Sequence, residues 1–455
     1  MDLRDKHVVV MGLARTGLAV ARFLKSQGAR VTVTDQATEK GLGHFAQEVR
    51  SLEVALELGG HRPDTLAAAH MIVISPGVPH TIAPLEEARR KGIPVIGEIE
   101  LSARFIKAPI VAISGTNGKT TTTELLGRML AASGKRVFVG GNIGNPLIAI
   151  AGRDAELDAI VAEISSFQLD TTETFRPHVA VLLNISPDHL DRYDSVAAYA
   201  DSKGRLFRNQ GPEDYAICHG GDPLVQAQCR DLRACLLNFY PQPPANGGPG
   251  IGAIITPKQI AIHIPGKAEG RIDLSQAPLM GPHNRENIAA ATLAAMAVDA
   301  DLAAVQRTIN EFQTLAHRLE PVGTVNGVQF INDSKATNVD AVIRALECFD
   351  RPVVLIMGGR NKGYDFAPLF DHIRRRAKKL IVIGEARDEI LEAVAQAPAQ
   401  GTETAVDLPE AVRRAFAAAQ PGDTVLLSPA CASFDMFANY AERGATFRRA
   451  VGELK

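Results

Sequence analysis

A glycine-rich segment with a lysine and two threonines at its end is the clearest chemical signal in the sequence. It consists of Gly115, Thr116, Asn117, Gly118, Lys119, Thr120 and Thr121. Such a loop turns successive backbone N–H groups toward one point, where a helix dipole also favours an anion. Lys119 adds a mobile positive charge for phosphate oxygens, and Thr120 adds a hydroxyl for magnesium. The segment predicts a phosphate site; the alternative is a plain strand-to-helix turn with Thr120 as the cap.

This loop is a shortened variant of the usual phosphate-binding pattern. The usual pattern places a glycine five residues before the second one, and Ile113 stands at that position. The apolar run at 109–113 predicts a buried strand before the loop, and residues 120–132 predict a helix after it. The local order of strand, loop and helix is therefore the one that a phosphate cradle requires.

Two further polar residues follow predicted strands at 159–162 and 179–183. They are Glu163 and His189. Because parallel strands end at the same sheet edge, we expect both side chains near the phosphate loop, where they could serve a magnesium ion. A carboxylate at a helix start and a capping or core histidine are the structural alternatives.

Alternating strand and helix patterns predict an α/β protein of three domains. They are an N-terminal Rossmann-like domain at 1–97, a central P-loop-type mononucleotide-binding domain at 98–314 and a C-terminal Rossmann-like domain at 315–455. Further strands are predicted at 7–11, 30–34, 71–74, 136–139, 328–331, 353–357, 380–383 and 424–427. A Pro- and Gly-rich stretch at 240–250 predicts a linker, and 252–274 predicts antiparallel strands.

Composition restricts the function class. The net charge of −2 offers no overall basic field for nucleic acid. No apolar span of membrane length and no signal-peptide pattern is apparent, so we expect no membrane association. Five cysteines without a Cys-x-x-Cys pair fit reduced thiols and give no metal-site spacing. These features predict a cytoplasmic protein.

The first region begins with a βαβ pattern that carries Gly-x-Ala-x-x-Gly at 12–17 and then Asp35. Alone, this pattern suggests a dinucleotide site. Ala14, however, replaces the middle glycine that lets a backbone approach a pyrophosphate. A second small-residue loop, at 75–77, follows a predicted strand at its carboxyl end, where α/β sheets bind ligands.

Together these motifs make the whole chain resemble the Mur ligase family, which builds the peptide of bacterial cell-wall precursors. The shared motifs are Gly-Thr-Asn-Gly-Lys-Thr at 115–120, His283-Asn284 with Asn287, and His317-Arg318-Leu319-Glu320. Segments 332–338 and 428–435, followed by Phe437, Asn439 and Tyr440, resemble the member of the family that adds D-glutamate.

The resemblance implies an ATP-dependent amide ligase of peptidoglycan synthesis, in which D-glutamate is joined to UDP-N-acetylmuramoyl-L-alanine through an acyl phosphate. It implies ATP and these two small molecules as partners, two magnesium ions and no nucleic acid or membrane. We expect a monomer in the bacterial cytoplasm, with the first domain holding the uridine nucleotide rather than a dinucleotide.

The resemblance also implies residue roles. The catalytic residues would be Lys119, Glu163, His189, Lys203, Lys335 and Lys362. The metal ligands would be Thr120, Glu163, His189 and Lys203, the last as a carbamate because an ammonium cannot ligate a cation. ATP would contact the loop at 115–121 together with Asn284, Asn287, Arg318 and Asp333. The UDP-substrate would contact Arg15, Thr16, Asp35, Ser75, Gly77, Asn142 and His189. D-glutamate would contact Thr337, Lys362, Ser433 and Tyr440.

Several alternatives stay open at this point. Lys203 alone is typical of a solvated helix lysine, and Gly204 is unusual in that predicted helix. Asn284 and Asn287 could instead serve as helix caps. At the level of function, the alternatives are another Mur ligase, a folylpolyglutamate-type ligase, and a non-catalytic nucleotide-sensing module.

Overall fold

The computed structural model of the chain describes residues 1–242, 251–267, 269–395 and 401–454. Most of the predicted linker at 240–250 lies outside these ranges. Within them, the strands form three separate sheets. No helix in the described parts of the chain is long and apolar enough to cross a membrane.

The first sheet has five parallel strands in the order β3-β2-β1-β4-β5. Its strands are β1 (His7–Met11), β2 (Arg30–Asp35), β3 (Ala55–Leu58), β4 (Met71–Ile74) and β5 (Val95–Gly97). Its helices are α1 (Arg15–Ser26), α2 (Glu39–Leu42), α3 (His44–Ser51), α4 (Pro63–Ala67), α5 (Ala83–Arg90) and α6 (Glu98–Ala103).

The second sheet has nine strands in the order β14-β13-β12-β11-β10-β9-β6-β8-β7. They are β6 (Ile110–Ser114), β7 (Val137–Gly141), β8 (Ala159–Glu163), β9 (Val179–Leu182), β10 (Tyr215–His219), β11 (Cys235–Tyr240), β12 (Gly252–Ile255), β13 (Gln259–His263) and β14 (Gly270–Asp273). The helices are α7 (Lys119–Ala132), α8 (Ser166–Leu169), α9 (Val196–Gly204), α10 (Pro223–Gln228), α11 (Pro282–Ala297) and α12 (Leu302–Glu311). Strand β13 pairs antiparallel with both β12 and β14, which confirms the prediction for residues 252–274.

The third sheet has six strands in the order β15-β16-β20-β17-β18-β19, and only β15 is antiparallel. They are β15 (Glu320–Val325), β16 (Val328–Asn332), β17 (Val353–Gly358), β18 (Ala377–Ile383), β19 (Thr402–Thr404) and β20 (Thr424–Leu427). The helices are α13 (Val339–Leu346), α14 (Phe370–Arg376), α15 (Arg387–Ala395), α16 (Leu408–Ala418) and α17 (Tyr440–Gly452).

Both faces of each sheet are covered by apolar residues. In β6, Val111 and Ile113 belong to one apolar cluster, whereas Ala112 between them belongs to another. In β17, Leu355 belongs to one apolar cluster and its neighbour Val354 belongs to another. Near-continuous apolar strands are typical of parallel sheets with helices on both sides. Loops at the carboxyl ends of these strands are then free to carry chemistry.

Two of the five cysteines face each other. Cys218, near the end of β10, and Cys229, just after α10, have Cα atoms 7.3 Å apart, which is beyond the usual range for a disulfide, so the expectation of reduced thiols stays a prediction. Packing of α10 against the sheet brings them together. Cys235, Cys348 and Cys431 are free.

Candidate active site

The phosphate loop connects β6 to α7 and is shaped by Gly118. This residue has a φ of 85°, and a Cβ atom there would lie 2.3 Å from Asn287 Oδ1. Glycine tolerates both the left-handed conformation and this close approach. Lys119 begins α7, and its Nζ donates to the carbonyl oxygens of Gly115 and Thr116 at 2.8 Å. The lysine thus lies over its own loop, where a phosphate would meet it.

Two cations of the third domain face the first turn of α7. Arg318 Nη2 and Lys335 Nζ donate to Thr120 Oγ1 at 3.1 and 3.2 Å. Among the described residues, no partner reaches the buried Nε of Arg318. Burial and the charge of Arg318 lower the pKa of Lys335 to about 8. With Lys119, these groups leave an excess of positive charge in the cleft, which suits a polyphosphate.

Glu163 ends β8 at the same sheet edge and is 2% exposed. Asn142 Nδ2 donates to its Oε1 at 2.8 Å. Its Oε2 is buried and has no hydrogen-bond partner within the described ranges. A free buried carboxylate oxygen beside a phosphate loop is a suitable ligand for a hard cation such as Mg²⁺. Asn142, which is expected to contact the UDP-substrate, here orients this carboxylate.

His189 follows β9 in a left-handed conformation, with a φ of 56°. Its ring lies edge-on to Phe167, with centroids 4.8 Å apart. Its Nε2 lies 3.8 Å from Asp188 Oδ2. Burial lowers the pKa of His189, so near neutral pH the imidazole is uncharged, which is the form that binds a metal.

Lys203, near the end of α9, is 1% exposed. Its Nζ donates to Gly115 O at 2.9 Å and lies over the Tyr199 ring. Burial and the charge of Lys119 lower its pKa well below the usual lysine range. The alternative of a solvated helix lysine is therefore wrong, because α9 packs this face against α8 and α10.

Gly204, unexpected within a helix, lies where α9 packs against α10. A Cβ atom at this position would lie 2.2 Å from Gln228 Oε1 on α10. The glycine therefore leaves room for the Gln228 side chain between the two helices.

The side chains present could hold magnesium only together with other oxygen donors. In the part of the chain that the structure describes, no group of three or more His, Cys, Asp or Glu could hold a metal ion. Thr120, Glu163 and His189 remain as donors around the loop. Magnesium usually keeps few protein ligands and takes the rest from phosphate and water, so this donor set fits an ion carried by a nucleotide.

A cavity lies beside the phosphate loop, between the central and third domains. Its lining includes Asn117, Gly118, Thr121, Asn284, Asn287, Arg318, Asp333 and Lys335. Asn287 Nδ2 donates to Asn284 Oδ1 at 3.1 Å, and Asn284 Nδ2 donates to Met280 O at 2.7 Å. Neither amide caps α11, whose N-cap is Gly281. The asparagines are thus held toward the cavity by each other.

Asp333 is buried at the far wall of this cavity. It accepts hydrogen bonds from Ser428 Oγ at 3.0 Å and from Leu319 N at 3.2 Å. Burial raises its pKa to about 7. Asp333 therefore holds the loops that follow β16 and β20 together, besides facing the cavity.

The first domain carries a second cavity at the carboxyl ends of its strands. Its lining includes the expected residues Thr16, Asp35, Ser75, Gly77 and Asn142, and also Gln36, His61 and Gln168. Sequence reasoning missed the last three. His61 follows Gly59 and Gly60, two glycines with positive φ that come directly after β3. A sequence-based prediction of this edge strand would have indicated His61 as a candidate site residue.

Two residues that are expected to contact the UDP-substrate form hydrogen bonds with other parts of the protein instead. Asp35 accepts from Leu13 N at 2.6 Å and from Ala37 N at 2.7 Å, so its carboxylate organises both loops of the rim. Arg15 Nη1 instead donates to Gly144 O of the central domain at 3.0 Å. It links the two domains.

The residues expected to bind D-glutamate follow three strands of the third sheet. Thr337 follows β16, Lys362 follows β17, and Ser433 and Tyr440 follow β20. Arg443 of α17 is fully buried and holds two of these loops together, donating to Ser334 O at 2.8 Å and to Cys431 O at 3.1 Å. In sequence, it is indistinguishable from a surface arginine of an amphipathic helix.

The central sheet carries a phosphate loop that two cations of the third domain face, and the first sheet carries a cavity of its own. This arrangement is typical of a multidomain enzyme that uses a nucleotide. Family models agree with this class. A MurD-like N-terminal domain of Mur ligases matches residues 6–97, the Mur ligase middle domain matches 113–295, and the Mur ligase glutamate ligase domain matches 317–431. The chain belongs to the Mur ligase family and is an ATP-dependent amide ligase.

Relatives match along the whole chain. A UDP-N-acetylmuramoylalanine–D-glutamate ligase of Desulfosudis oleivorans is 49% identical, with 100% of this chain and 98% of the relative covered. The protein of the same name from Desulfatibacillum aliphaticivorans is also 49% identical, with 100% of both chains covered. The crystal structure of the UDP-N-acetylmuramate-alanine ligase MurC from Thermotoga maritima has a TM-score of 0.61 at 18% identity, covering 99% of this chain and 100% of that one, and shares the fold.

Proposed function

We propose that the chain joins D-glutamate to UDP-N-acetylmuramoyl-L-alanine, with conversion of ATP to ADP and phosphate, during peptidoglycan precursor synthesis. The observation that carries this proposal is the cleft in which Lys119, Arg318 and Lys335 surround the phosphate loop beside a free oxygen of Glu163. The printed names of the full-length relatives support the choice of substrates.

The reaction begins with two anions that must meet. The carboxylate of the UDP-substrate attacks the γ-phosphorus of ATP, which forms an acyl phosphate and releases ADP. Lys119, Arg318 and Lys335 offset the charge that accumulates on the phosphoryl oxygens. The amine of D-glutamate then attacks the acyl carbon, loses a proton, and phosphate leaves. Because water would hydrolyse the acyl phosphate, the reaction needs a cleft closed between domains.

Magnesium, when bound, would neutralise phosphate charge and orient the γ-phosphoryl group. Thr120 and Glu163 would hold one ion, and His189 with a carbamylated Lys203 would hold a second. Burial and the low pKa of Lys203 support carbamylation. The neutral amine attacks CO₂ and releases a proton, which leaves an anionic oxygen donor.

Each substrate is assigned to one region of the chain. Residues 1–97 hold the UDP-sugar at the cavity of the first sheet, and 98–314 hold ATP, with Asn284 and Asn287 at the adenine. Residues 315–455 hold D-glutamate through Thr337, Lys362, Ser433 and Tyr440. One chain supplies all of these contacts, so a monomer suffices. The substrates ATP and the UDP-sugar place the reaction in the cytoplasm.

A coupled phosphate assay with a panel of D- and L-amino acids tests this proposal. Phosphate release is expected only when ATP, the UDP-substrate and D-glutamate are all present. Steady ATP hydrolysis that ignores D-glutamate would favour the nucleotide-sensing alternative. Glutamylation of a folate acceptor, read by mass spectrometry, would favour the folylpolyglutamate alternative, which has no use for a MurD-like first domain.

A further inference from the structure

The loop after β17 contacts the central domain through a tyrosine. Tyr364, 8% exposed, donates its hydroxyl to Asp188 Oδ1, which lies in the loop after β9. Asp188 is also 8% exposed and immediately precedes His189. The hydrogen bond therefore joins the loop that carries Lys362 to the loop that carries His189.

Asp188 accepts hydrogen bonds from two loops of the third domain, one after β17 and one after β16, and is called the junction below. Asn338 Nδ2 donates to its Oδ2 at 3.2 Å, and the Asn338 side chain also caps α13. The backbone N–H of His189 donates to Asp188 Oδ1 at 2.8 Å. Two C-terminal loops thus meet one buried carboxylate of the central domain.

The charges at this junction favour a strong hydrogen bond. Asp188 is buried, and its Oδ1 accepts hydrogen bonds from both the Tyr364 hydroxyl and the backbone N–H of His189. Burial and the nearby carboxylate raise the pKa of Tyr364, so the phenol keeps its proton. A hydrogen bond from a neutral hydroxyl to a buried carboxylate is stronger than a hydrogen bond between two neutral groups.

The position of the turn around Lys362 depends on the hydrogen bond between Tyr364 and Asp188. Tyr364 N donates to Asn361 Oδ1 at 2.8 Å, and Asn361 Nδ2 donates to Tyr364 O at 3.1 Å, which closes the turn locally. Gly363, with a φ of 84°, lies between Lys362 and Tyr364. The turn can therefore keep its shape without the tyrosine hydroxyl, but the hydroxyl ties it to the central domain.

We propose that Tyr364 is a positioning residue for the amino-acid substrate, because its hydrogen bond to Asp188 sets where Lys362 meets the substrate's carboxylate. The inference rests on the proposed function, in which Lys362 binds D-glutamate. It assigns to Tyr364 a role that acts through Lys362 and not on the reacting atoms.

Kinetics of Tyr364→Phe test the inference. The ring still fills its buried space, and only the hydroxyl is lost. We expect the KM for D-glutamate to rise about tenfold, equivalent to about 1.4 kcal/mol. The KM values for ATP and for the UDP-substrate should stay within about threefold. Tyr215→Phe, at a tyrosine outside the cleft, is the matched control and should leave all three KM values unchanged.

The possible results are distinct. A selective rise in the KM for D-glutamate supports the role. A value within about twofold of the wild type, or an equal rise in all three KM values, overturns it. If the wild-type protein itself shows no D-glutamate-dependent turnover, the proposed function fails instead.

Discussion

Removal of the Lys203 side chain tests the proposal that this lysine, as a carbamate, would hold a second metal ion. Lys203→Ala deletes the atoms from Cγ to Nζ and opens a space at a position that is 1% exposed. If the lysine supplies an anionic oxygen through a carbamate, the variant loses one charged ligand. Such a loss costs about 4 kcal/mol of transition-state stabilisation, or roughly a thousandfold in kcat.

The assay measures D-glutamate-dependent phosphate release with and without short carboxylates. Formate, acetate and propionate are small enough to enter the space left by Lys203→Ala and to present an oxygen where the carbamate would be. We expect partial recovery of kcat with one of them. Lys203→Met is the matched control, because it fills the same space with an apolar chain, and we expect it to stay inactive with every carboxylate.

Three results would refute this reasoning. The first is substantial activity of Lys203→Met without additives, since methionine cannot carry a carboxylate. The second is an equal response of both variants to the carboxylates, which would indicate a general salt effect. Wild-type activity that is unchanged after thorough removal of CO₂ and bicarbonate would point the same way.

Two further predictions concern stability and nucleotide binding. Burial raises the pKa of Glu98 to about 7, so its contribution to stability is full below the unfolded pKa near 4.5 and is lost as the pH rises through 7. Glu98→Gln should therefore raise the melting temperature at pH 8.5, by the equivalent of at most about 3 kcal/mol, and the difference should shrink toward pH 5; an equal difference at both pH values would contradict this. Gly118→Ala should weaken ATP binding at least tenfold, at roughly 1–2 kcal/mol or more, because the new Cβ meets Asn287 Oδ1 at 2.3 Å in a left-handed conformation. Gly134→Ala, with a φ of 80° and open space around it, is the control for backbone strain, and wild-type ATP affinity of the Gly118 variant in calorimetry would show the prediction wrong.

The residue pattern within short segments of the chain was enough to predict the phosphate loop and most strands near it. The predicted strands at 71–74 and 424–427 have the observed bounds, and the helix predicted at 120–132 begins one residue earlier. These elements carry a dense apolar run or a glycine-bounded loop, so the information lies within a few residues.

Other features depend on contacts between distant segments. Strand β3 escaped prediction because none of its residues is fully buried, and its pattern therefore lacks the apolar run of a central strand. The burial of Lys203 is decided by which face of α9 meets its neighbours. That face cannot be read from a helix whose apolar residues do not form a clear stripe.

The third domain shows the same limit for site residues. Arg443 is buried because the carbonyl oxygens of two loops converge on its guanidinium. The contact between Tyr364 and Asp188 joins residues 176 positions apart. Neither partner predicts the other, since only domain packing brings them together.

Transfer of isotope from the substrate's carboxylate tests the central claim most directly. The UDP-substrate is labelled with ¹⁸O in its terminal carboxylate and is turned over with ATP and D-glutamate. Attack of that carboxylate on the γ-phosphorus predicts one labelled oxygen in each phosphate released, as measured by mass spectrometry. Phosphate that carries no label would contradict the acyl-phosphate route and, with it, the role assigned to the cleft.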